Sequence, residues 1–172
     1  MDNLLKALMR CRNTDNEFRP EIANPHYFKM PNGQLVLYAT DGHILLIIKD
    51  TAGLLDKYDF EPALVPNIAA VIPTDPCNGV LSLTQLKQRL HTIAGALWDF
   101  KTAAIDIEGM YLNGTQAQRL ADVLDDLGIV STIPMAVQTT PPTTLKLEND
   151  QFIIVQAGMV NDPDFVKHVI LY

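Results

Sequence analysis

The stretch Gln34-Leu35-Val36-Leu37-Tyr38-Ala39-Thr40-Asp41-Gly42-His43-Ile44-Leu45-Leu46-Ile47-Ile48 decides how this chain folds. Gln34 to Thr40 is rich in apolar and aromatic residues, and Ile44 to Ile48 is an unbroken apolar run. Between them stands Asp41-Gly42, a preferred dipeptide of tight turns, so the segment reads as a β-hairpin. Upstream, Pro31-Asn32-Gly33 is a turn, and Pro20, Pro25 and Pro31 rule out a helix across residues 14 to 33. Further back, Leu4, Leu5, Leu8 and Cys11 fall on one helical face. Asp2 stands at the N-cap position, and Lys6, Arg10 and Arg12 lie on the remaining faces.

Downstream of the hairpin, Pro62, Pro66, Pro73 and Pro76 make residues 50 to 79 a connector, with one short strand at the apolar run Ala69 to Ile72. Ser82 and Gln85 have capping-box spacing, and Leu83, Leu86, Leu90, Ile93 and Leu97 recur at helical spacing, which predicts a helix over 83–97. Ala104 to Leu112 alternates as one half-buried strand. A third helix is predicted over 115–127, capped by Thr115 with Gln118 and ended by Gly128, with Arg119, Asp122, Asp125 and Asp126 on its polar side. Strands are expected at 133–139, 143–148, 151–157 and 166–171. Antiparallel strands joined by short turns, with helices between them, indicate an α+β domain whose helices cover one face of antiparallel sheet. Its length of 172 residues fits one domain, read as residues 1–79 and 80–172, two loosely similar halves.

Composition excludes several classes. With 48% hydrophobic and 19% charged residues the chain is too apolar for disorder, and no run approaches the ~18 apolar residues of a membrane span. No signal sequence is evident at the N-terminus, so a cytoplasmic location is expected. Cys11 and Cys77 form neither a disulfide framework nor a metal set. His26, His43, His91 and His168 are scattered without ligand spacing, and phosphate-loop, dinucleotide and nucleophile-elbow motifs are missing. No metal, no cofactor and no catalysis are expected. The net charge of −7 argues against an all-over nucleic-acid surface. That excess lies wholly in residues 51 to 172, since residues 1 to 50 hold equal numbers of acids and bases.

The segment Tyr38-Ala39-Thr40-Asp41-Gly42-His43-Ile44-Leu45 resembles the Ala-Thr-Asp-Gly-His signature of the bacterial DNA polymerase sliding clamp, the β processivity factor, where it joins two strands of the middle domain. The order around it is similar too: amphipathic helix, loop and strand, hairpin, Pro-containing connector, then a helix after a strand-like Val80-Leu81-Ser82-Leu83-Thr84-Gln85-Leu86. That similarity runs over residues 1 to about 97 and covers one clamp domain with an internal helix-plus-sheet repeat. One of the helices 83–97 and 115–127 is then an addition.

The resemblance implies a non-catalytic accessory protein of DNA replication or repair. It implies an apolar pocket for short linear peptides of replication or repair proteins, formed by Thr40, Gly42, His43 and Leu45 together with the terminal strand Val169, Ile170 and Leu171. Ile44 stands where the family commonly has Arg. Clamps have three such domains and close a ring from two chains, so encircling duplex DNA would require this chain to be a homo-oligomer. Lys6, Arg10 and Arg12 are the candidate DNA contacts, and the acidic face of the third helix suits phosphate badly. The competing reading is a small α+β protein-interaction module unrelated to replication; an enzymatic reading would need a His/Asp or Cys/His cluster assembled only by folding.

Overall fold

The structure is a computed structural model that describes residues 2–14, 19, 22–62, 67–159 and 164–172; Pro20 and Pro66 lie outside these. The chain begins with α1 (Asn3–Cys11), capped by Asp2, whose Oδ1 accepts the Leu5 amide at 2.8 Å. Strand β1 (His26–Lys29) follows, then the hairpin of β2 (Leu35–Thr40) and β3 (Ile44–Lys49). The connector carries a short 3-10 helix at Ile68–Val71 instead of the expected strand. Next come β4 (Gly79–Ser82), α2 (Leu83–Gly95, capped by Ser82), β5 (Ala103–Ile107), β6 (Met110–Asn113) and α3 (Gly114–Asp126). Strands β7 (Thr132–Gln138), β8 (Thr144–Glu148), β9 (Phe152–Ala157) and β10 (His168–Leu171) complete it.

Two elements differ from expectation for local reasons. The predicted single strand 104–112 is the hairpin β5–β6, because Glu108 and Gly109 both take positive φ (52° and 90°), the geometry of a two-residue turn matched to strand twist. The cap of α3 is Asn113 instead of Thr115. Asn113 Oδ1 accepts the Gln116 amide at 2.8 Å, and Gln116 Oε1 accepts the Asn113 amide at 3.1 Å. The helix therefore starts earlier, and Gly114 passes so close to Phe100 that a Cβ there would lie 2.7 Å from the ring.

Among the described residues the strands form a seven-stranded antiparallel sheet in the order β1-β2-β3-β9-β8-β7-β4 and a three-stranded sheet in the order β10-β5-β6. Two matching runs of helix plus three strands, α1-β1-β2-β3 and α3-β7-β8-β9, meet at the centre, where Leu46 pairs with Ile154 and Ile48 with Phe152. Helix α3 is thus the counterpart of α1, with α2 and its strands inserted between the runs.

Each strand of the hairpin has two buried faces. Leu37, Ala39, Ile44, Leu46 and Ile48 join Leu8, Leu90 and Leu124 in the main core beneath the helices. Val36, Tyr38, Leu45 and Ile47 point the other way, into a smaller cluster with Ile68, Ile153 and Val155. Strict alternation along β2, β3 and β9 sends successive side chains to the two clusters, which is why Ile44 to Ile48 is apolar throughout. The 3-10 helix covers part of this second face, burying Ile68 while Val71 stays 59% exposed.

Candidate functional site

The turn between β2 and β3 is held by side chains as well as by its ladder. Gly42 takes φ 92°, which an L side chain resists. Asp41 Oδ1 accepts the amides of His43 (2.8 Å) and Ile44 (3.0 Å), and Thr40 Oγ1 accepts the Gly42 amide at 3.0 Å. The other Asp41 oxygen accepts from Arg119 of α3, whose Nε donates to the Arg10 carbonyl at 2.9 Å. From β9, the Ala157 amide (2.7 Å) and Gln156 Nε2 (3.2 Å) both donate to the His43 carbonyl. Burial alone would raise the Asp41 pKa, but the amides of Ile44 and His43 and the Arg119 guanidinium outweigh it and hold the carboxyl below its usual range.

Beside this turn, on the sheet face away from the helices, opens a cavity of about 860 Å³. One wall is Thr40, Gly42, His43, Ile44 and Leu45; the opposite wall is the segment Asn67 to Thr74 with Ile68, Val71, Ile72 and Pro73. Val155, Ala157, Thr144 and Gln138 extend the floor, and Arg19 and Ile22 border it. The buried floor residues Leu45, Ile68 and Val155 belong to the second cluster, so the cavity is the uncovered part of that apolar face. Lys146, itself buried on this face, donates to the Pro73 carbonyl at 3.0 Å and so fixes the far wall. Its size and its mix of apolar lining with a few polar groups suit a ligand site.

The cavity brings together Thr40, Gly42, His43 and Leu45 but not the terminal strand. Val169, Ile170 and Leu171 pair in parallel with Ala104, Ile105 and Asp106 in the three-stranded sheet. Four contacts draw the end of the chain there: the Lys167 amide on the Thr102 carbonyl (2.8 Å), the Tyr172 amide on the Asp106 carbonyl (3.0 Å), the His168 ring stacked on Trp98 at 4.2 Å, and the Tyr172 hydroxyl on the Ser82 backbone. The wall expected from the last strand is supplied instead by residues 67 to 74, whose isoleucines at i and i+4 were read as part of a connector.

No family model and no curated protein matches the chain. Solved structures do. The DNA polymerase III β subunit of Borrelia burgdorferi, in complex with a natural product, superposes with a TM-score of 0.66 at 15% identity, covering 93% of this chain and 60% of that one. The β subunit of Streptococcus pyogenes gives 0.55 at 12% identity over 94% of this chain and 63% of that one. The Helicobacter pylori β clamp bound to a DNA ligase peptide gives 0.61 at 10% identity, over 92% and 62%. The chain has the sliding-clamp fold. It spans about 60% of the length of these clamps.

Within this clamp fold the helical face is electrostatically closed on itself. Lys6 Nζ lies 2.8 Å from Asp126, and Arg10 reaches Asp126 at 2.5 Å and Asp122 at 3.3 Å. Arg12 points its guanidinium towards the Ala23 carbonyl at 3.5 Å. The basic side of α1 and the acidic side of α3 are thus two halves of one salt-bridge network, which the sequence showed as separate charge patches. Burial would raise the Asp126 pKa, but the hydrogen bonds from Lys6 and Arg10 bring it below its usual range.

Nothing in the clamp fold makes Cys11 a nucleophile, since it is fully buried and burial pushes its thiol up to about 12. No group of three or more His, Cys, Asp or Glu residues is arranged to hold a metal among the described residues. No described helix is long and apolar enough to cross a membrane.

Proposed function

We propose that this chain is a non-catalytic clamp-like accessory protein of DNA replication or repair, a single clamp-like domain that captures short linear peptides in the cavity beside the Asp41-Gly42-His43 turn. The observation that carries the reading is the cavity itself: an apolar floor of Leu45, Ile68 and Val155 left open between an anchored turn and a pinned 3-10 segment. An apolar anchor such as Leu or Phe would complete the second hydrophobic cluster, and the partly wet rim of Thr40, His43 and Asn67 would receive the peptide backbone. The solved clamp bound to a DNA ligase peptide supports the same class of ligand.

Duplex DNA is at most a secondary partner of a monomer. Lys6 and Arg10 are already neutralised by Asp122 and Asp126, so DNA affinity at this face is weak and lost at moderate salt; encirclement would need a homo-oligomer.

Calorimetry with a short peptide bearing a Leu-Phe anchor tests the proposal. Val71 is the residue to change, because it lines the cavity yet is 59% exposed, whereas Leu45 is 5% exposed and its truncation would first damage the fold. Val71→Ser should weaken binding by about 1–2 kcal/mol and leave stability within ~0.5 kcal/mol. Absence of both heat and competition with the unaltered chain would remove peptide capture.

A further inference from the structure

Among the described residues, three of the four sheet edges are closed by the chain itself. Beyond β1 the Tyr27 amide donates to the Glu61 carbonyl at 3.3 Å, and beyond β6 the Met159 amide donates to the Tyr111 carbonyl at 2.8 Å. At β4 the Ser82 backbone is taken by the Tyr172 hydroxyl. The fourth edge is β10, which pairs with β5 on one side while no described segment bonds to its other side. A free edge carries a row of unpaired amides and carbonyls and is a template for another strand. This one is also apolar. Residues 168 to 172 hold no Lys, Arg, Asp or Glu, Val169 is 45% exposed and Leu171 72%, and Phe165, three residues before the strand, is exposed as well.

We infer that β10 is a dimerisation strand, along which two copies of this chain pair antiparallel about a two-fold axis at Ile170. That register sets Val169 of each copy opposite Leu171 of the other, and the two positions share one face of the sheet. The flanks match in charge. Leu171 stands beside Asp106, so Glu108 is level with the place two residues past Leu171, and the axis brings Lys167 of the other copy level with that same place. Lys167 and Glu108 are both exposed, and they then lie two strand spacings apart, about 10 Å between backbones, within the combined reach of their side chains. The axis makes this pair twice, once at each end of the apolar strand. A charge-free strand has little with which to select a foreign partner, whereas its own copy supplies both the apolar match and the opposite charges at the flanks. Two three-stranded sheets join as β6-β5-β10-β10-β5-β6. Each copy uses the same surface, so association ends at two and does not grow head to tail into a ring. The cavity beside the Asp41-Gly42 turn plays no part in it.

So short an interface belongs to the transient class. Sedimentation equilibrium at concentrations from about 1 μM to about 1 mM should show the mass rising from 19.1 kDa towards twice that value and no further. Val169→Lys with Leu171→Lys should keep the chain monomeric, because lysines then face lysines, and Val169→Glu with Leu171→Glu should do the same. An equimolar mixture of the two double variants should dimerise again, at least as tightly as the unaltered chain. Both positions are exposed, so each double variant should melt close to the unaltered chain. On the flanks, Lys167→Glu should weaken association by about threefold, and adding Glu108→Lys to the same chain should restore it. Should either double variant melt early, the exchange at 167 and 108 decides alone. A mass of 19.1 kDa at every concentration, a mass beyond the dimer, or association that survives the double-lysine change overturns the proposal. So does a mixture of the two double variants that stays monomeric although each melts as the unaltered chain does.

Discussion

Two turns in this molecule are built from the same local parts. At Asp41-Gly42-His43 and at Glu108-Gly109 a glycine takes φ near 90°, and an aspartate closes the loop: Asp41 onto the His43 and Ile44 amides, Asp106 onto the Gly109 amide at 2.7 Å. They differ in what lies behind them. The free oxygen of Asp41 is taken by Arg119, and the His43 carbonyl is held from β9 by Ala157 and Gln156, so the first turn is fastened to a helix and to a neighbouring strand. At the second, among the described residues, the Asp106 carboxylate has the Gly109 amide as its partner and no arginine behind it. The same local geometry therefore makes a bend in both places, and only tertiary anchoring makes one of them a cavity wall.

Removing the two aspartates should separate the turns most widely. Asp41→Ala deletes the acceptor of two amides and leaves Arg119 with the Arg10 carbonyl but no carboxylate, so a loss of about 2–4 kcal/mol is expected from urea unfolding, against about 1 kcal/mol for Asp106→Ala. Equal losses would mean that the tertiary anchors add nothing.

Acid should sharpen the contrast. The Asp41 pKa is depressed in the folded state, so its stabilisation is complete above the unfolded value of ~4 and is lost as pH falls through the lower folded value. Asp41→Asn should accordingly flatten the fall in stability below pH ~4, seen in urea midpoints measured across that range. Part of the fall should persist, because Asp126 is depressed in the same way by Lys6 and Arg10. An unchanged acid profile would show that Arg119 and the amides do not favour the ionised form.

The smallest effect is expected at the second turn and has the opposite sign. Glu108 occupies the left-handed region at φ 52°, where Asn is better tolerated. Glu108→Asn should therefore stabilise the chain by about 0.5–1 kcal/mol, read as a rise in melting temperature. A loss would show that the Glu108 side chain contributes more than its backbone geometry costs.

What could be read from the sequence was what depends on neighbours along the chain. Asp2, Ser82 and the Asp41-Gly42 pair carry local signals of caps and turns, and the expected helices and hairpins stand where those signals put them to within a few residues. Glu108-Gly109 was missed because Glu is an uncommon residue at positive φ and the alternation of Ile105, Asp106 and Ile107 masked the turn. The pairing of Val169–Leu171 with Ala104–Asp106 depends on contacts more than 60 residues apart, such as Trp98 against His168, for which no local pattern exists. The cavity was half legible. Thr40, Gly42, His43 and Leu45 could be chosen from the hairpin, whereas the opposite wall, the Lys146 pin and Arg19 come together only through folding. Asp41 and Arg119 lie 78 positions apart, and nothing in either segment names the other.

The hairpin that is apolar on both faces also has a consequence for the unfolded chain. Ile44-Leu45-Leu46-Ile47-Ile48 has no polar interruption and high β propensity, the composition of segments that stack between chains when exposed. Charge appears only at its borders, with Asp41 before it and Lys49 and Asp50 after it. Native pairing conceals the run, since β3 lies between β2 and β9 and neither of its edges is free. During refolding at high concentration, intermolecular association should begin at this strand until β2 and β9 pair with its two edges.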